Sequence, residues 1–197
     1  MTLCSVALGD VAPQPWRNGG GRTRELLAWP PAADWRLRIS VADIDADGPF
    51  SAFDGVRRWF AVVDGTGVAL GFTDGERICR RGDAPLAFDG AAAPACRLLD
   101  GPTRDLNLMT RGGDATMSTV VPGVGWSASF AVHALYSAVA GQWSDGRCSQ
   151  RVAAGTLLWE QSETTEALGP WRFEPDDRGP FTRAWWLGFT PQPEAHR

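Results

Sequence analysis

A glycine-rich segment near the start of the chain carries groups that could bind a small anion. The three consecutive glycines Gly19–Gly21 allow the backbone to approach a ligand and to present its N–H groups. Arg22 and Arg24 follow, and arginine holds carboxylates through paired N–H donors. The pattern is neither a dinucleotide-binding fingerprint nor a P-loop. One interpretation is an anion-binding loop walled by Trp16 and Asn18; the other is an exposed turn in which Trp16 is a packing anchor.

Two further segments alternate polar and apolar residues in the way that β-strands do. In the first segment, one face carries Arg36, Arg38 and Ser40. In the second segment, one face carries Asp105, Asn107, Met109 and Arg111. Successive side chains of a strand point to opposite faces, so each set lies on one face. A solvated outer surface is the default explanation. The alternative is that both sets line a barrel interior, where polar groups converge on a ligand in a partly apolar cavity.

Another candidate is an arginine on a third predicted strand. Residues 48–65 predict a turn, a strand and a second turn, and Asp64–Gly65 is a good hairpin signal. On this strand Arg58, Phe60 and Val62 share one face. Arg58 lies either on the surface, as is usual for arginine, or inside the cavity with the other polar groups.

The acidic segment Asp43–Gly48, with Asp54 at its end, has the spacing of a calcium-binding EF-hand loop. The residues before it alternate as a strand rather than a helix, and Pro49–Phe53 does not begin a helix. Aspartate in the last position also coordinates less well than the usual glutamate. Calcium binding is therefore not expected here, and no metal site is assigned.

The segment Gly125–Ser129 falls one residue short of the G-x-S-x-G motif of serine hydrolases. His133 follows within the same predicted strand, which does not favour a catalytic triad with a serine of this segment. His133 is expected to be a core or rim histidine, and no catalytic residue is assigned.

The composition excludes several functions. The chain of 197 residues carries a net charge of −4, which argues against a nucleic-acid partner. All 19 basic residues are arginine, so neither a P-loop lysine nor a pyridoxal-phosphate lysine is available. The 2 histidines are too few for a three-histidine metal site. The 4 cysteines are widely spaced, so no zinc site or redox dithiol is expected and no cofactor is assigned.

Neither a signal peptide nor a membrane-spanning run is visible in the sequence. Residues 1–10 lack the basic and long apolar regions of a signal peptide. No apolar run approaches the roughly 18 residues that span a bilayer. We therefore expect a cytoplasmic protein with reduced thiols and no membrane partner.

Short apolar runs separated by glycine and proline predict an all-β barrel or sandwich. Strands are expected near 3–8, 35–42, 58–63, 68–72, 97–99, 106–111, 127–136, 156–159 and 184–189. A short helix is expected around Arg22–Trp29, and turn-rich or loop segments at Asp74–Gly90 and Gln161–Pro180. The best boundary between two lobes is Gly112–Asp114.

Four of these segments together resemble the HutD/Ves family. They are Trp16–Glu25, Trp35–Ala42, Gly48–Arg58 and Asp105–Arg111, and their order and spacing match the family's motifs. Beyond Gly112 the match is diffuse. The resemblance implies an RmlC-like cupin fold with two packed β-barrel (jelly-roll) units, provisionally residues 1–112 and 113–197.

The resemblance also implies a site without metal. Metal-binding cupins place histidines and a glutamate on adjacent strands, whereas the matching stretches Gly55–Gly67 and Pro85–Arg111 contain no histidine. Members related to HutD are associated with histidine utilisation, with a proposed role in binding an intermediate such as formylglutamate and limiting flux. The Ves branch is associated with stress response.

These observations favour a non-enzymatic regulator that binds a small anionic metabolite, with a homodimer as one option for its assembly. The expected ligand-binding residues are Trp16, Asn18, Gly19, Gly20, Arg38, Ser40, Phe50, Ser51, Arg58, Asp105, Asn107 and Met109. The first alternative is a metal-independent cupin enzyme, an isomerase, epimerase or hydrolase, with Asp105 or Glu25 as its acid or base. The second is a protein-interaction module anchored by exposed tryptophans.

Overall fold

The regular structure of the protein is almost entirely β-strand, which confirms the all-β prediction. A computed structural model describes residues 2–31, 34–127, 129–162, 170–177, 179–181 and 183–193. The helical elements within these residues are two short 3-10 helices, Leu8–Asp10 and Gly90–Ala92. No helix in this part of the chain is long and apolar enough to cross a membrane.

The chain divides into two compact units. The N-terminal unit is Val11–Gly112, and the C-terminal unit combines Met1–Asp10 with Gly113–Arg197. The division expected from the sequence had placed the first ten residues in the first lobe. They belong to the C-terminal unit because strand β1 (Cys4–Ala7) pairs antiparallel with strand β16 (Thr156–Gln161).

The N-terminal unit contains two antiparallel sheets. Its strands are β2 (Gln14–Pro15), β3 (Gly21–Trp29), β4 (Leu37–Ile44), β5 (Gly48–Pro49), β6 (Arg57–Asp64), β7 (Gly67–Phe72), β8 (Gly75–Arg80), β9 (Leu86–Asp89), β10 (Ala95–Leu98) and β11 (Thr103–Thr110). The six-stranded sheet has the order β2-β3-β4-β11-β6-β9, and the four-stranded sheet has the order β5-β10-β7-β8. Strands β4, β11 and β6 are therefore neighbours in the middle of the larger sheet.

These three central strands bring their polar residues into register. On β11, Met109 pairs with Arg38 of β4 on one side and with Arg58 of β6 on the other. Two residues earlier, Asn107 pairs with Ser40 of β4. Paired residues lie on the same face of a sheet, as the alternation predicted. The apolar residues between them are also buried, so the alternation separates two buried faces rather than core from solvent.

The apolar core of the N-terminal unit begins directly beside these polar residues. Phe60 and Val62 follow Arg58 on the inward face of β6 and belong to one buried cluster. Its other members are Ile44, Phe50, Val68, Leu70, Cys79, Phe88 and Cys96. The polar groups therefore lie at the border of a packed core, where an uncompensated polar atom costs free energy.

The helix expected around Arg22–Trp29 is wrong, because this segment is strand β3. The register of β3 against β4 shifts between Glu25 and Leu27, which is the mark of a β-bulge. The bulge allows the adjacent residues Leu26 and Leu27 both to be buried. Two consecutive buried leucines break the strict alternation of a strand, and the sequence pattern therefore resembled a helix.

The C-terminal unit also contains two sheets. Besides β1 and β16 its strands are β12 (Asp114–Thr119), β13 (Val132–Ser137), β14 (Gly141–Ser144), β15 (Ser149–Val152), β17 (Arg172–Pro175) and β18 (Ala184–Thr190). The five-stranded sheet has the order β1-β16-β13-β18-β12, and the three-stranded sheet has the order β15-β14-β17.

Aromatic rings fill the interior of the C-terminal unit. Trp126 stacks on Trp186, with ring centres 5.4 Å apart and planes 5° from parallel. His133 is buried and meets Trp126 edge-on at 5.4 Å, which confirms its expected place in the core. Phe130 lies against Gly188, where a Cβ atom would come within 2.2 Å of the ring.

Several strands were not predicted from the sequence. The segment Asp74–Gly90 contains β8 and β9, and the stretch interpreted as a loop at Gln161–Pro180 contains β17, although residues 163–169 and 178 lie outside the described residues. Strand β13 begins at Val132 rather than at Ser127. Strands β8 and β17 are short and largely polar, and β9 has only 4 residues, so none of the three shows the alternation that identifies a half-buried strand.

The packing of Phe130 against Gly188 yields a stability prediction. We expect Gly188→Ala to lower the free energy of unfolding by about 1–3 kcal/mol, because the new methyl group overlaps a ring inside a filled core. The control is Gly9→Ala, where a Cβ atom meets nothing within 4 Å. Urea denaturation of the three proteins measures the difference, and equal stability of both variants would contradict this packing.

Candidate functional site

The N-terminal unit contains an open cavity of about 670 Å³. Its walls come from strands β2, β3, β4, β5, β6 and β11 and from the loops that follow β2 and β5. Of the residues expected to bind a ligand, it is lined by Trp16, Asn18, Arg38, Ser40, Phe50, Ser51, Arg58, Asp105, Asn107 and Met109. A surface location for these polar side chains was the alternative, and it is wrong for Arg58, Asp105 and Asn107, which are buried.

Arg58 is the buried cation of this cavity. Its Nη2 donates a hydrogen bond to Asn107 Oδ1 at 2.8 Å, whereas Nε and Nη1 are buried without a hydrogen-bond partner among the described residues. The guanidinium carbon lies 5.1 Å from the ring centres of Phe50 and Phe88 and 5.6 Å from that of Phe53. These aromatic faces supply a cation–π environment for the group.

Burial lowers the pKa of Arg58 to about 10, although the nearby carboxyl of Asp105 opposes this effect. The positive charge of Arg38 lowers the pKa of Arg58 further. Since about 10 is still well above neutrality, Arg58 keeps its charge at pH 7. The residues that line the cavity therefore include a charged guanidinium, two of whose nitrogens have no acceptor among the described residues.

Asp105 lies on the neighbouring strand and is 1% exposed. Its Oδ2 accepts a short hydrogen bond from Asn107 Nδ2, and its Oδ1 is buried without a partner among the described residues. Burial raises the pKa of Asp105 to about 8; Arg58 opposes the rise, and Asp43 adds to it. The carboxyl group is therefore mostly protonated at pH 7.

Asn107 connects the two ionisable groups. Its Oδ1 accepts from Arg58 and its Nδ2 donates to Asp105, which fixes the orientation of the amide. Asp105 and Asn107 are two residues apart on β11, so they share the cavity face of that strand. The chain Arg58–Asn107–Asp105 uses one polar atom at each end and leaves Arg58 Nε and Nη1 and Asp105 Oδ1 without a partner among the described residues.

A second arginine of the cavity wall is paired with a carboxylate. Arg38 Nε donates to Glu25 Oε2 at 2.7 Å, and both side chains are partly exposed. Glu25 itself does not line the cavity. Asp105 is the carboxyl group among the described lining residues. The position of Glu25 therefore does not support the expectation that it acts as an acid or base in the cavity.

The glycine-rich segment shapes the cavity wall rather than supplying N–H donors to it. Gly19 and Gly20 do not line the cavity. The N–H of Gly19 donates to the carbonyl of Trp16, and that of Gly20 donates to Asn18 Oδ1, each at 3.0 Å. A Cβ atom at Gly21 would lie 2.3 Å from the carbonyl oxygen of Asp43, so this position requires glycine because two backbones approach closely.

Trp16 is held in the wall by its own side-chain hydrogen bond. Its Nε1 donates to Thr23 Oγ1 at 2.7 Å, and its ring meets that of Phe50 edge-on with centres 6.4 Å apart. The packing and lining interpretations of Trp16 therefore apply together. Because Thr23 belongs to β3 and Phe50 to the loop after β5, Trp16 connects these two parts of the cavity wall.

Arg22 and Arg24 do not form a clamp for a ligand, because they bind Asp43. Arg22 Nε and Arg24 Nη1 each donate to Asp43 Oδ2 at 3.0 Å, and Arg104 Nε donates to Oδ1 at 2.6 Å. Burial alone would raise the pKa of Asp43, but these hydrogen bonds from Arg104, Arg22 and Arg24 lower it to about 2. The cluster connects β3, β4 and β11 behind the cavity wall.

The acidic segment with EF-hand spacing does not converge on an ion. Asp43 is held by arginines, and Asp47 Oδ1 accepts the backbone N–H of Leu98 at 2.8 Å. Within the part of the chain that the structure describes, no group of three histidine, cysteine, aspartate or glutamate side chains could hold a metal ion.

Some lining residues were not expected from the sequence. They are Gln14, Pro15, Arg17, Thr23, Ala42, Pro49 and Phe53. Ala42 continues the alternation of Arg38 and Ser40 on β4, so the pattern could have identified it. Phe88, which stacks beside Arg58, lies on β9, a strand that gave no sequence signal.

The fold and the comparisons define the class of protein. A bacterial pirin from Escherichia coli, solved in complex with nickel(II), has the same fold with a TM-score of 0.60 at 8% identity, covering 98% of this chain and 100% of that one. The structure of HutD from Pseudomonas fluorescens SBW25, solved in a formate condition, gives a TM-score of 0.84 at 23% identity over 98% and 100% of the two chains. These likenesses show that the protein has a cupin-like β fold, as the resemblance implied.

The comparison with protein families identifies the family. The HutD family model matches residues 9–173, so the chain belongs to the HutD family. Protein Ves of Citrobacter koseri is 29% identical over 188 residues, which cover 92% of this chain and 96% of that protein. An uncharacterized 21.2 kDa protein from the hutC 3' region of Pseudomonas putida is 38% identical over 104 residues, 51% of this chain and 54% of that protein.

The cluster around Asp43 yields a pH prediction. We expect Asp43→Asn to lower the free energy of unfolding at pH 7 by about 2 kcal/mol, because the lowered pKa corresponds to that stabilisation of the ionised form. The stabilisation is complete above the ordinary pKa of 3.8 and is lost as the pH falls toward about 2, so wild type and variant converge there.

Denaturation curves between pH 7 and pH 2 measure this difference, with Asp114→Asn as the control. Asp114 is an exposed carboxylate at the start of β12, and its replacement should change stability little at any pH. A difference between Asp43→Asn and wild type that stays constant from pH 7 to pH 2 would exclude an ionised Asp43 as its source.

Proposed function

We propose that the protein is a non-enzymatic binding protein for a small carboxylate, with a role linked to histidine utilisation. The observation that carries the proposal is the buried guanidinium of Arg58, a cavity-lining residue two of whose nitrogens have no acceptor among the described residues. A buried charged donor that stays unpaired costs free energy, and an anion bound in the cavity would remove that cost.

A carboxylate is the anion that fits this donor best. The planar guanidinium presents a fork of N–H groups that matches two carboxylate oxygens, and a partly desolvated contact of this kind contributes roughly 1.5–3 kcal/mol. Arg38 adds a second charge at the wall, reduced by its pairing with Glu25. Positive charge from both arginines therefore favours an anionic group over a neutral one.

The remaining walls favour a ligand with a short apolar chain. Trp16, Phe50 and Met109 offer apolar surface, while Ser40 and Ser51 offer hydroxyl groups. A compact dicarboxylate can bury its methylene groups against the former and satisfy its polar atoms with the latter. With two charged contacts and this burial, we expect micromolar affinity after the cost of association.

Formylglutamate is the specific candidate, since it combines two carboxylates with a short chain and a formamide group. The family name HutD and the hutC-region relative from Pseudomonas putida support a connection with histidine utilisation. In this proposal, binding of a pathway intermediate allows the protein to limit flux through the pathway.

A metal-independent enzyme is the second candidate, and one observation favours it. Asp105 is buried at the cavity with its pKa raised to about 8, which is the property of a group that can donate or accept a proton near neutral pH. Incubation of the pure protein with N-formyl-L-glutamate, followed by NMR, separates the two candidates. New product signals would favour the enzyme, whereas line broadening without conversion favours the binding protein.

Calorimetry with N-formyl-L-glutamate tests the binding role directly. We expect Arg58→Ala to weaken binding at least about tenfold, because it removes the bidentate contact. The matched control is Arg57→Ala, since Arg57 is the neighbouring arginine on β6, is exposed and does not line the cavity.

A denaturation curve for each variant shows whether the fold survives. If Arg58→Ala destabilises the protein, Arg58→Lys keeps the charge, loses the fork, and should still bind more weakly than wild type. Equal affinity of wild type and a folded Arg58 variant would remove Arg58 from the binding site.

A further inference from the structure

We infer that Asp105 is protonated when it recognises the ligand. Its neutral carboxyl group donates a hydrogen bond to the carboxylate that Arg58 holds, so ligand binding depends on the protonation of Asp105. The inference rests on the proposed function, because it concerns how the same cavity recognises its anion. In this role Asp105 makes the site selective for an anionic ligand.

The positions of the unpaired atoms support this role. Arg58 and Asp105 lie on the adjacent strands β6 and β11, and both line the cavity. Asn107 already uses Arg58 Nη2 and Asp105 Oδ2, so the buried atoms left over are Arg58 Nε and Nη1 and Asp105 Oδ1. Each oxygen of a carboxylate held by the guanidinium has two lone pairs, so one of these oxygens can also accept from a carboxyl O–H of Asp105.

An ionised Asp105 could not make this contact. A carboxylate is an acceptor only, so its Oδ1 would face a ligand oxygen of like charge inside a desolvated cavity. A protonated Asp105 instead supplies the donor that the ligand needs. It also leaves Arg58 as the uncompensated charge, so that the site attracts an anion.

The charged groups around Asp105 are consistent with the protonated form. They are Arg38 and Asp43 on the neighbouring strand β4 and Arg58 on the neighbouring strand β6, and the thiol of Cys96 on β10 of the four-stranded sheet also interacts with Asp105. Arg38 is paired with Glu25, and the negative charge of Asp43 raises the pKa of Asp105, so neither stabilises an ionised Asp105. Cys96 stays a neutral thiol, because burial raises its pKa to about 12. Burial therefore outweighs Arg58, and the pKa of Asp105 lies near 8.

The sign of the coupling follows. Below pH 8 the free site already carries the proton, and affinity should not depend on pH. Above pH 8 the free site loses the proton that the complex keeps, so the dissociation constant should rise by up to about tenfold for each pH unit. The carboxylates of N-formyl-L-glutamate stay ionised throughout this range, so the ligand adds no titration of its own.

Calorimetry with N-formyl-L-glutamate and with glutarate between pH 6.5 and pH 9 tests the inference. Measurements stop at pH 9 because Arg58 begins to titrate beyond it. We expect binding several-fold to tenfold weaker at pH 9 than at pH 7. In two buffers of different ionisation enthalpy, we expect net proton uptake at pH 8.5 and none at pH 6.5.

Two variants assign the effect to Asp105. Asp105→Asn keeps an N–H donor but cannot titrate, so its affinity should be severalfold weaker than wild type at pH 6.5 and should not change up to pH 9. Asp114→Asn removes an exposed carboxylate of the C-terminal unit and should keep the wild-type slope. A slope that persists in Asp105→Asn would overturn the inference.

A titration without ligand keeps this inference separate from the proposed function. The carboxyl carbon of Asp105, assigned by its loss in Asp105→Asn, should titrate near pH 8 in the free protein. Titration below pH 6 would overturn the inference whatever the protein binds. If each probe binds as tightly at pH 9 as at pH 6.5, this inference alone is overturned. If neither probe binds at pH 6.5, both this inference and the proposed function are overturned.

Discussion

The buried guanidinium of Arg58 is the constraint that the rest of the N-terminal unit has to satisfy. A charge removed from water needs acceptors, polarisable neighbours or a counter-charge. The protein supplies one acceptor from Asn107, three phenylalanine faces and a carboxyl group on the adjacent strand. This set compensates the charge incompletely, because two nitrogens of this cavity-lining residue have no acceptor among the described residues.

The sheet makes this arrangement possible because β4, β11 and β6 are neighbours. Antiparallel register sets Met109 between Arg38 and Arg58, so two arginines flank one strand on a single face. Behind the wall, Asp43 binds arginines from β3 and β11 and so connects the strands that carry the site. Trp16, fixed by its hydrogen bond to Thr23, forms part of the wall of the same cavity. The polar residues thus keep fixed positions before any ligand arrives, which reduces the entropic cost of binding.

Much of the site followed from the sequence, because it lies on strands with clear alternation. Arg38, Ser40, Asp105 and Asn107 were placed on shared faces by the period of two residues alone. That period cannot tell an inward polar face from a solvated one, and long-range pairing decided the matter. Other features depend on contacts that no local pattern encodes. Arg22 and Arg24 bind Asp43, and the N–H groups of Gly19 and Gly20 donate within their own turn. Phe88, which contacts Arg58, lies on a strand that was not predicted. The β-bulge in β3 explains the wrong helix prediction, because two consecutive buried leucines break the alternation of a strand.

The most direct measurement of the central claim follows the Nε–H resonances of the arginines by NMR while N-formyl-L-glutamate is added. The account predicts that the Arg58 Nε–H signal, assigned through its absence in Arg58→Lys, shifts saturably and more than any other arginine signal, because this N–H group gains its first acceptor. An Arg58 signal that stays unchanged while the ligand saturates the protein would show that the anion binds elsewhere, and would contradict the account.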